Sequence, residues 1–376
     1  MVALARKTLI HEWRRFLPAA VAVAFSGLLL MMMAALMMGI FGSAAVYIDQ
    51  SGGDLWVGYP GTQSIELGLP IPRNTEMQLM MDSGVGRVEP FEWIDADWRG
   101  PADHGGVSVF VSGIDAHANG MMYAHVLDLA LRQRLLEPFA VIVDRADLPT
   151  LGLKIGDSAL VNGKRVHLVG VGSGLRALGG INILASLDTA RQLDNDNTDP
   201  GNVAYYLVQL TDPASAAVAT KRLSKISGGR FAVWRRDAFA RRAVNYWMFS
   251  TGAGLGVLFL SAVVFIAGAA ITSQTLMAAV AGSIREYATL RALGVSIGGL
   301  RAVVLEQAGW VGVCGLLAGL IVGTLALLVA RNQDVPVQMT ALSVLLCGAL
   351  VMTIALLSGL LAVRSLRRAD PASLMR

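Results

Sequence analysis

"SIREYATLRALG", Ser283–Gly294, is a charged island between two long apolar runs. No Asp, Glu, Lys or Arg occurs from Ala243 to Ile284, and none from Gln307 to Ala330. The same is true from Val335 to Val363, and between Arg15 and Asp49 the only ionisable side chain is Tyr47. Each run exceeds the roughly 20 residues that a helix needs to cross a hydrocarbon core. With 54% hydrophobic and 15% charged residues among 376, the chain is too apolar for an ordinary soluble domain and too long for a simple anchor. The pattern predicts a membrane protein with four spans and one large polar segment between the first two.

The first run follows Arg14 and Arg15 and ends near the small residues Ser43, Ala44 and Ala45. It is about twice as long as the apolar part of a signal peptide, so cleavage is not expected. As one helix it exceeds the membrane thickness, which predicts a projecting stalk. Lys and Arg in the short flanks set the orientation. Arg6, Lys7, Arg14 and Arg15 precede span one, Arg285, Arg291 and Arg301 surround the island, and Arg364, Arg367, Arg368 and Arg376 occupy the tail, whereas the remaining short loop has only Arg331. Both termini and the island are therefore expected on the cytoplasmic side. Residues 48–235 are expected outside.

Residues 48–235 carry 16 basic and 21 acidic residues, net −5, against +4 for the whole chain. The basic character thus belongs to the flanks facing anionic lipid, which argues against a nucleic-acid partner. Arg235, Arg236, Arg241 and Arg242 run against the topology, since they precede span two on the external side. A stalk helix above the headgroups accommodates them. Cys314 and Cys347 lie inside spans three and four, where small packing residues are the expectation. The methionines at 31, 32, 33, 37 and 38 are expected to face lipid or to serve as packing filler rather than to form a metal or haem site.

The external segment reads as mixed α/β. "VSVFVSGI" (107–114), "RVHLVGV" (165–171) and "VAYYLVQL" (203–210) suit strands, and "FAVIVD" (139–144) suits a buried strand. "ASLDTARQL" (185–193) and "PASAAVATKRLSKIS" (213–227) have helical composition, the latter capped by Asp212-Pro213. Turn signals stand at Gly156-Asp157 and at Asn162-Gly163, the second marking a hairpin. A small β-rich subdomain beside an α/β one is expected.

Catalytic signals are missing. No phosphate-cradling G-x-x-x-x-G-K-[ST] string occurs: Lys164 follows Gly163, but Ser158 and Arg165 occupy positions the motif reserves for Gly and for Ser or Thr. His104, His117, His125 and His167 have no metal-ligand spacing. Asp95, Asp97 and Asp103 read as a solvated acidic loop. The spans lack the buried charges of a coupled carrier, Glu306 alone lying near membrane depth. The expectation is a chain that is no enzyme and holds no cofactor or metal.

The island itself is specified as a helix. Ser283 with Glu286 three residues on is a capping box, Gly294 supplies a left-handed stop after Leu293, and Ser296 is placed to cap the following helix. Tyr287, Leu290 and Leu293 form an apolar stripe, flanked by Arg285, Glu286 and Arg291. Such a stripe suits either a lipid surface or a protein groove.

"SIREYATLRALGVSIGGLRAVVLEQA" resembles the connection between the second and third spans of FtsX-like, or MacB-type, ABC transporter permeases. The resemblance rests on Arg285-Glu286, on Arg291-Ala292-Leu293-Gly294, and on Arg301 and Glu306. It extends to the long first span, the large external domain, three clustered spans and the tail "VRSLRRADPASLMR", and the region around "VDRADLPTLGLKIGD" is most similar to the DevC branch.

The resemblance implies the MacB-type fold: four transmembrane helices plus a large external mixed α/β domain in a bacterial inner membrane. The expected organisation is an interfacial helix over 1–16, span one with a stalk over 17–47, the α/β domain over 48–235, a stalk with span two over 236–282, a coupling helix over 283–294, span three over 297–330, span four over 336–363 and a tail over 364–376. It further implies a second copy of the chain and a dimer of separate ATPase subunits carrying ATP and Mg, which grip Ser283–Leu293. A periplasmic adaptor and an outer-membrane channel would complete an exporter of lipid, glycolipid, peptide or hydrophobic compounds. Relatives of the same fold signal to cell-wall hydrolases, extract lipoproteins or export haem, and these remain alternatives.

Overall fold

The computed structural model describes residues 11–100, 106–195, 201–283, 289, 295–333 and 335–366. It divides into two compact units, one of Met1–Gly39 with Leu255–Arg376 and one of Ile40–Gly254. The long helices are α1 (Trp13–Gly42), α2 (Arg236–Phe249), α3 (Gly252–Gly282), α4 (Ile297–Asn332) and α5 (Ala341–Leu366). All but α2 belong to segments long and apolar enough to cross a membrane, as the four charge-free runs predict.

In the first unit, glycines let helices approach closely. Gly315, Gly319 and Gly323 recur every fourth residue on α4, against Val23, Ala24 and Met31 of α1. Lipid tails are as apolar as leucine, so close van der Waals contact rather than water exclusion holds such helices together. Ser26 of α1 donates to the Gly268 carbonyl of α3 at 3.0 Å and lies 3.0 Å from Thr272 Oγ1. Between α4 and α5, Gly312 faces Met352 and Gly359 faces Ala308. Met31 is buried as packing filler. Cys314 departs from expectation: it is exposed, because Gly312 and Gly315 take the packed positions beside it.

Several boundaries move. The predicted break after residue 16 is absent, α1 running from Trp13 through Pro18 into the span; residues 1–10 of the interfacial helix lie outside the described residues. Span four begins at Ala341 rather than 336, after a stretch whose Gln338 amide bonds the Ala35 carbonyl at 3.1 Å. The second unit gathers more chain than 48–235, taking in the end of α1 and the whole of α2.

Among the described residues the second unit has eleven strands: β1 (Leu55–Gly58), β2 (Ile71–Pro72), β3 (Val85–Arg99), β4 (Val107–Ile114), β5 (Ala140–Asp144), β6 (Ser158–Val161), β7 (Lys164–Gly172), β8 (Ile181–Ser186), β9 (Asn202–Val203), β10 (Tyr205–Leu210) and β11 (Ala232–Arg235). Nine form one sheet in the order β11-β1-β10-β3-β4-β8-β5-β7-β6, and β6 also pairs with β3. The six strands from β3 to β6 therefore close on themselves, around a core that includes Ile94, Trp98, Val111, Val143, Leu168 and Ile183. Closure leaves that end of the sheet without an exposed edge.

The two expected subdomains share a strand instead of lying side by side. The first half of β3 pairs with β10 and the second half with β4. Consequently Asp95 and Asp97 are not loop residues; they occupy exposed, alternating positions on β3, and Asp103 lies outside the described residues. The hairpin joining β6 to β7 forms at Asn162-Gly163, both with positive φ (48° and 80°) as a primed two-residue turn requires. Asp212 accepts from the Ala214 amide at 3.1 Å, ahead of the helix Ala216–Ser227.

The stalk reading needs the largest revision. Beyond α1 the chain makes a short turn at Ser43–Ala45 and a helical turn at Val46–Asp49, in which Ala44, Ala45, Tyr47 and Ile48 are buried. These pack on α2, whose Phe239, Ala240 and Ala243 face the core. Phe239 stacks on Trp234 at 4.7 Å between ring centres and abuts Trp56 and Tyr205. The overhang is thus sealed into the base of the domain by apolar burial.

Candidate functional site

The predicted coupling residues Arg285, Glu286, Tyr287, Leu290, Arg291, Leu293 and Gly294 lie outside the described residues. Their frame is described. Ser283 is fully buried at the end of α3, its amide bonded to the Val280 carbonyl at 3.1 Å. Its Oγ accepts from Arg15 of α1 at 3.5 Å, and the same guanidinium group bonds Glu12 at 2.7 Å. A Cβ on Gly282 would meet the Arg15 side chain at 3.2 Å, so Arg15 lies flat on the last turn of α3. Nothing in the sequence pattern paired Arg15 with Ser283, since 268 residues separate them.

At the far end of the segment, Ser296 caps α4 as expected, accepting from the Gly299 amide at 3.2 Å. Val280 of α3 packs with Leu300, Val303 and Val304 of α4. This apolar latch packs the end of α3 against the start of α4. Arg301 and Glu306 are half-buried on α4, and neither has an ion-pair partner among the described residues.

A second candidate lies along α2 in the second unit. Arg241, Arg242, Asn245, Tyr246 and Phe249 of α2, with Gln63, Ala238 and Ser250, line an open cleft of about 820 Å³. The sequence reading noticed the arginines only as an anomaly of topology. The signal it missed is the spacing 238, 242, 245, 249, which is one helical face.

The remaining perturbed carboxyls are structural. Burial raises Glu89, which accepts from the amides of Met121 and Met122 and from Arg87. Burial likewise raises Glu92, held by the Ala204 amide and Arg191. No cluster of three or more His, Cys, Asp or Glu suited to a metal occurs among the described residues.

Residues 258–371, which include α4, most of α3 and the connection between them, match the family described as FtsX-like permease C-terminal. That match is confined to the C-terminal part of the chain. No curated protein matches the sequence. Among solved structures, this chain is similar to the periplasmic region of MacB from Actinobacillus actinomycetemcomitans at 13% identity and a TM-score of 0.35, over 52% of this chain and 94% of that one. It is also similar to the extracellular domain of the noncanonic ABC-type transporter YknZ from Gram-positive bacteria at 14% identity and a TM-score of 0.33, over 48% of this chain and 98% of that one.

Proposed function

We propose that this chain is an FtsX-like permease, the non-catalytic membrane subunit of an ABC transporter, driven by separate ATPase subunits that dock on Ser283–Gly294 from the cytoplasm. The observation that carries the reading is a charged sequence with an apolar stripe whose flanking helix ends pack together through Val280 and Leu300, with Ser296 capping α4, inside the matched region. ATP and Mg would bind the partner, because this chain lacks a phosphate-cradling loop.

A push on Ser283–Gly294 acts on the cytoplasmic ends of spans two and three, and through Arg15 on span one. Spans one and two lead by chain continuity into the packed pair Ser43–Asp49 and α2 at the base of the α/β domain. Motion of the spans is thereby delivered to the domain outside the inner membrane, with two copies of the chain acting together. The dry spans suit such a mechanical role better than a path for polar substrate. Export of a lipid, glycolipid, peptide or hydrophobic compound through an adaptor and an outer-membrane channel is the work we assign to it.

The test is affinity purification of the tagged full chain from its host in mild detergent. A stoichiometric ATPase should co-elute, and Leu290→Asp, which puts a charge in an apolar contact, should weaken its retention by about a hundredfold, a loss of roughly 3 kcal/mol. Purification of the chain without any ATPase would overturn the reading.

A further inference from the structure

The cleft on α2 combines cationic, polar and apolar groups immediately before a membrane span. Its opposite face packs through Phe239, Ala240 and Ala243 into the domain core, so Arg241, Arg242, Asn245 and Phe249 are presented outward together. Phe249 is 56% exposed. Three residues later α3 begins at Gly252.

The guanidinium groups are held in place. Arg242 Nε donates to Gln63 Oε1 at 3.0 Å, fixing that side chain at the cleft wall while its two Nη groups make no bond among the described residues. Arg241 bonds Asp237 at 2.8 Å, and Asp237 also receives Arg235 at 2.9 Å. Arg236 is spent on the Ser51 carbonyl at 2.8 Å. Arg235 and the three arginines of α2 thus stand against the single acid Asp237, and the next acid along the chain is Glu286.

Two arginines beside an amide suit the oxygens of a phosphate, which guanidinium forks bind in bidentate fashion. Tyr246 and exposed Phe249 suit the headgroup region, where aromatic rings concentrate. A free inorganic anion would gain nothing from Phe249 or from the neighbouring span. On the topology proposed above, these arginines lie on the translocated side, where they oppose the usual insertion bias. We propose that the cleft binds the phosphate of an anionic amphiphile whose apolar chains remain in the bilayer.

A headgroup held there is gripped by α2, which a two-residue turn joins to span two. Binding of the amphiphile and movement of that span are therefore coupled. The inference rests on the proposed function only for the side of the membrane, and the two fail separately in the test.

The test uses the full chain in neutral detergent, titrated with dioleoylphosphatidylglycerol, with dioleoylphosphatidylcholine and with inorganic phosphate, and read by native mass spectrometry. Phosphatidylglycerol should bind more tightly than phosphatidylcholine, and Arg241→Gln with Arg242→Gln should weaken it about twentyfold, the loss of two cations at a membrane surface. Asn245→Glu, which keeps both arginines and the Gln63 bond, should weaken it comparably. Unchanged phosphatidylglycerol binding in both variants, with melting temperatures like the parent's, overturns the proposal. Displacement of the lipid by millimolar inorganic phosphate overturns the amphiphile assignment. ATPase co-purification, read on the same samples, should survive these substitutions; its absence from the parent chain would defeat the transporter reading and leave the lipid site standing.

Discussion

Gly319 of α4 lies against the backbone of Ala24 in α1: a Cβ placed on it would stand 2.8 Å from the Ala24 carbonyl oxygen. Gly319→Leu should therefore prise α1 from α4. Overpacking of this kind costs about 1–3 kcal/mol, to be read as a lower melting temperature in detergent. Gly309, where a Cβ meets nothing within 4 Å, is the control, and Gly309→Leu should leave the melt unchanged. Equal effects at both sites would refute the close-packed interface.

The hairpin at Asn162-Gly163 makes a similar claim about backbone rather than packing. Gly163 has φ of 80° with open space around it, so a side chain there suffers conformational strain without a clash. Gly163→Val should destabilise the domain by about 1–2 kcal/mol, measured by thermal unfolding. Gly163→Asn, which tolerates the left-handed region, should recover most of that loss.

These sites differ in how far the sequence revealed them. The Asn-Gly turn and the strands at 107–114 and 140–144 were legible because local chemistry fixes them. The four spans were legible because lipid demands long charge-free helices. β3 was not, since Pro90 and the acidic residues at 89, 92, 95 and 97 masked an alternation that only pairing with β10, β4 and β6 makes stable. The shared strand, and hence the closed barrel, is a product of long-range register. At the candidate site the cap at Ser296 was legible as a motif, whereas Arg15 and the α2 cleft depend on contacts between segments distant in sequence.

The pair Asp82–Arg222 ties the start of β3 to the helix Ala216–Ser227. The bonds from Arg222 hold the Asp82 carboxyl below its ordinary value, against partial burial. A carboxyl depressed in the folded state contributes stability above its unfolded pKa of about 3.9, and that contribution is lost as pH falls through the folded value. Arg222→Gln should lower the midpoint of urea unfolding at pH 7, and the two proteins should converge below about pH 3. A difference that persists undiminished in acid would show that the pair acts through packing alone.

Glu66 carries the opposite sign. It lies beside α2, where Trp247 Nε1 donates to Ser64 Oγ at 3.1 Å and Ser64 in turn donates to Glu66 Oε2. Glu66 Oε1 is buried without a hydrogen-bond partner of its own among the described residues, and burial raises the carboxyl's pKa, a trend that the bonds from Ser64 and Trp247 only partly offset. The folded state therefore holds this proton more tightly than the unfolded state does. Stability is highest below the unfolded value of about 4.3 and falls as pH rises through the folded one. Glu66→Gln removes the charge that burial disfavours, so it should raise the melting temperature at pH 7–8, with the gain shrinking towards about pH 4. Melting curves of parent and variant across that range decide it: a variant less stable at neutral pH, or a gain that does not change with pH, would mean that the ionised carboxylate is held by a partner that burial has not outweighed.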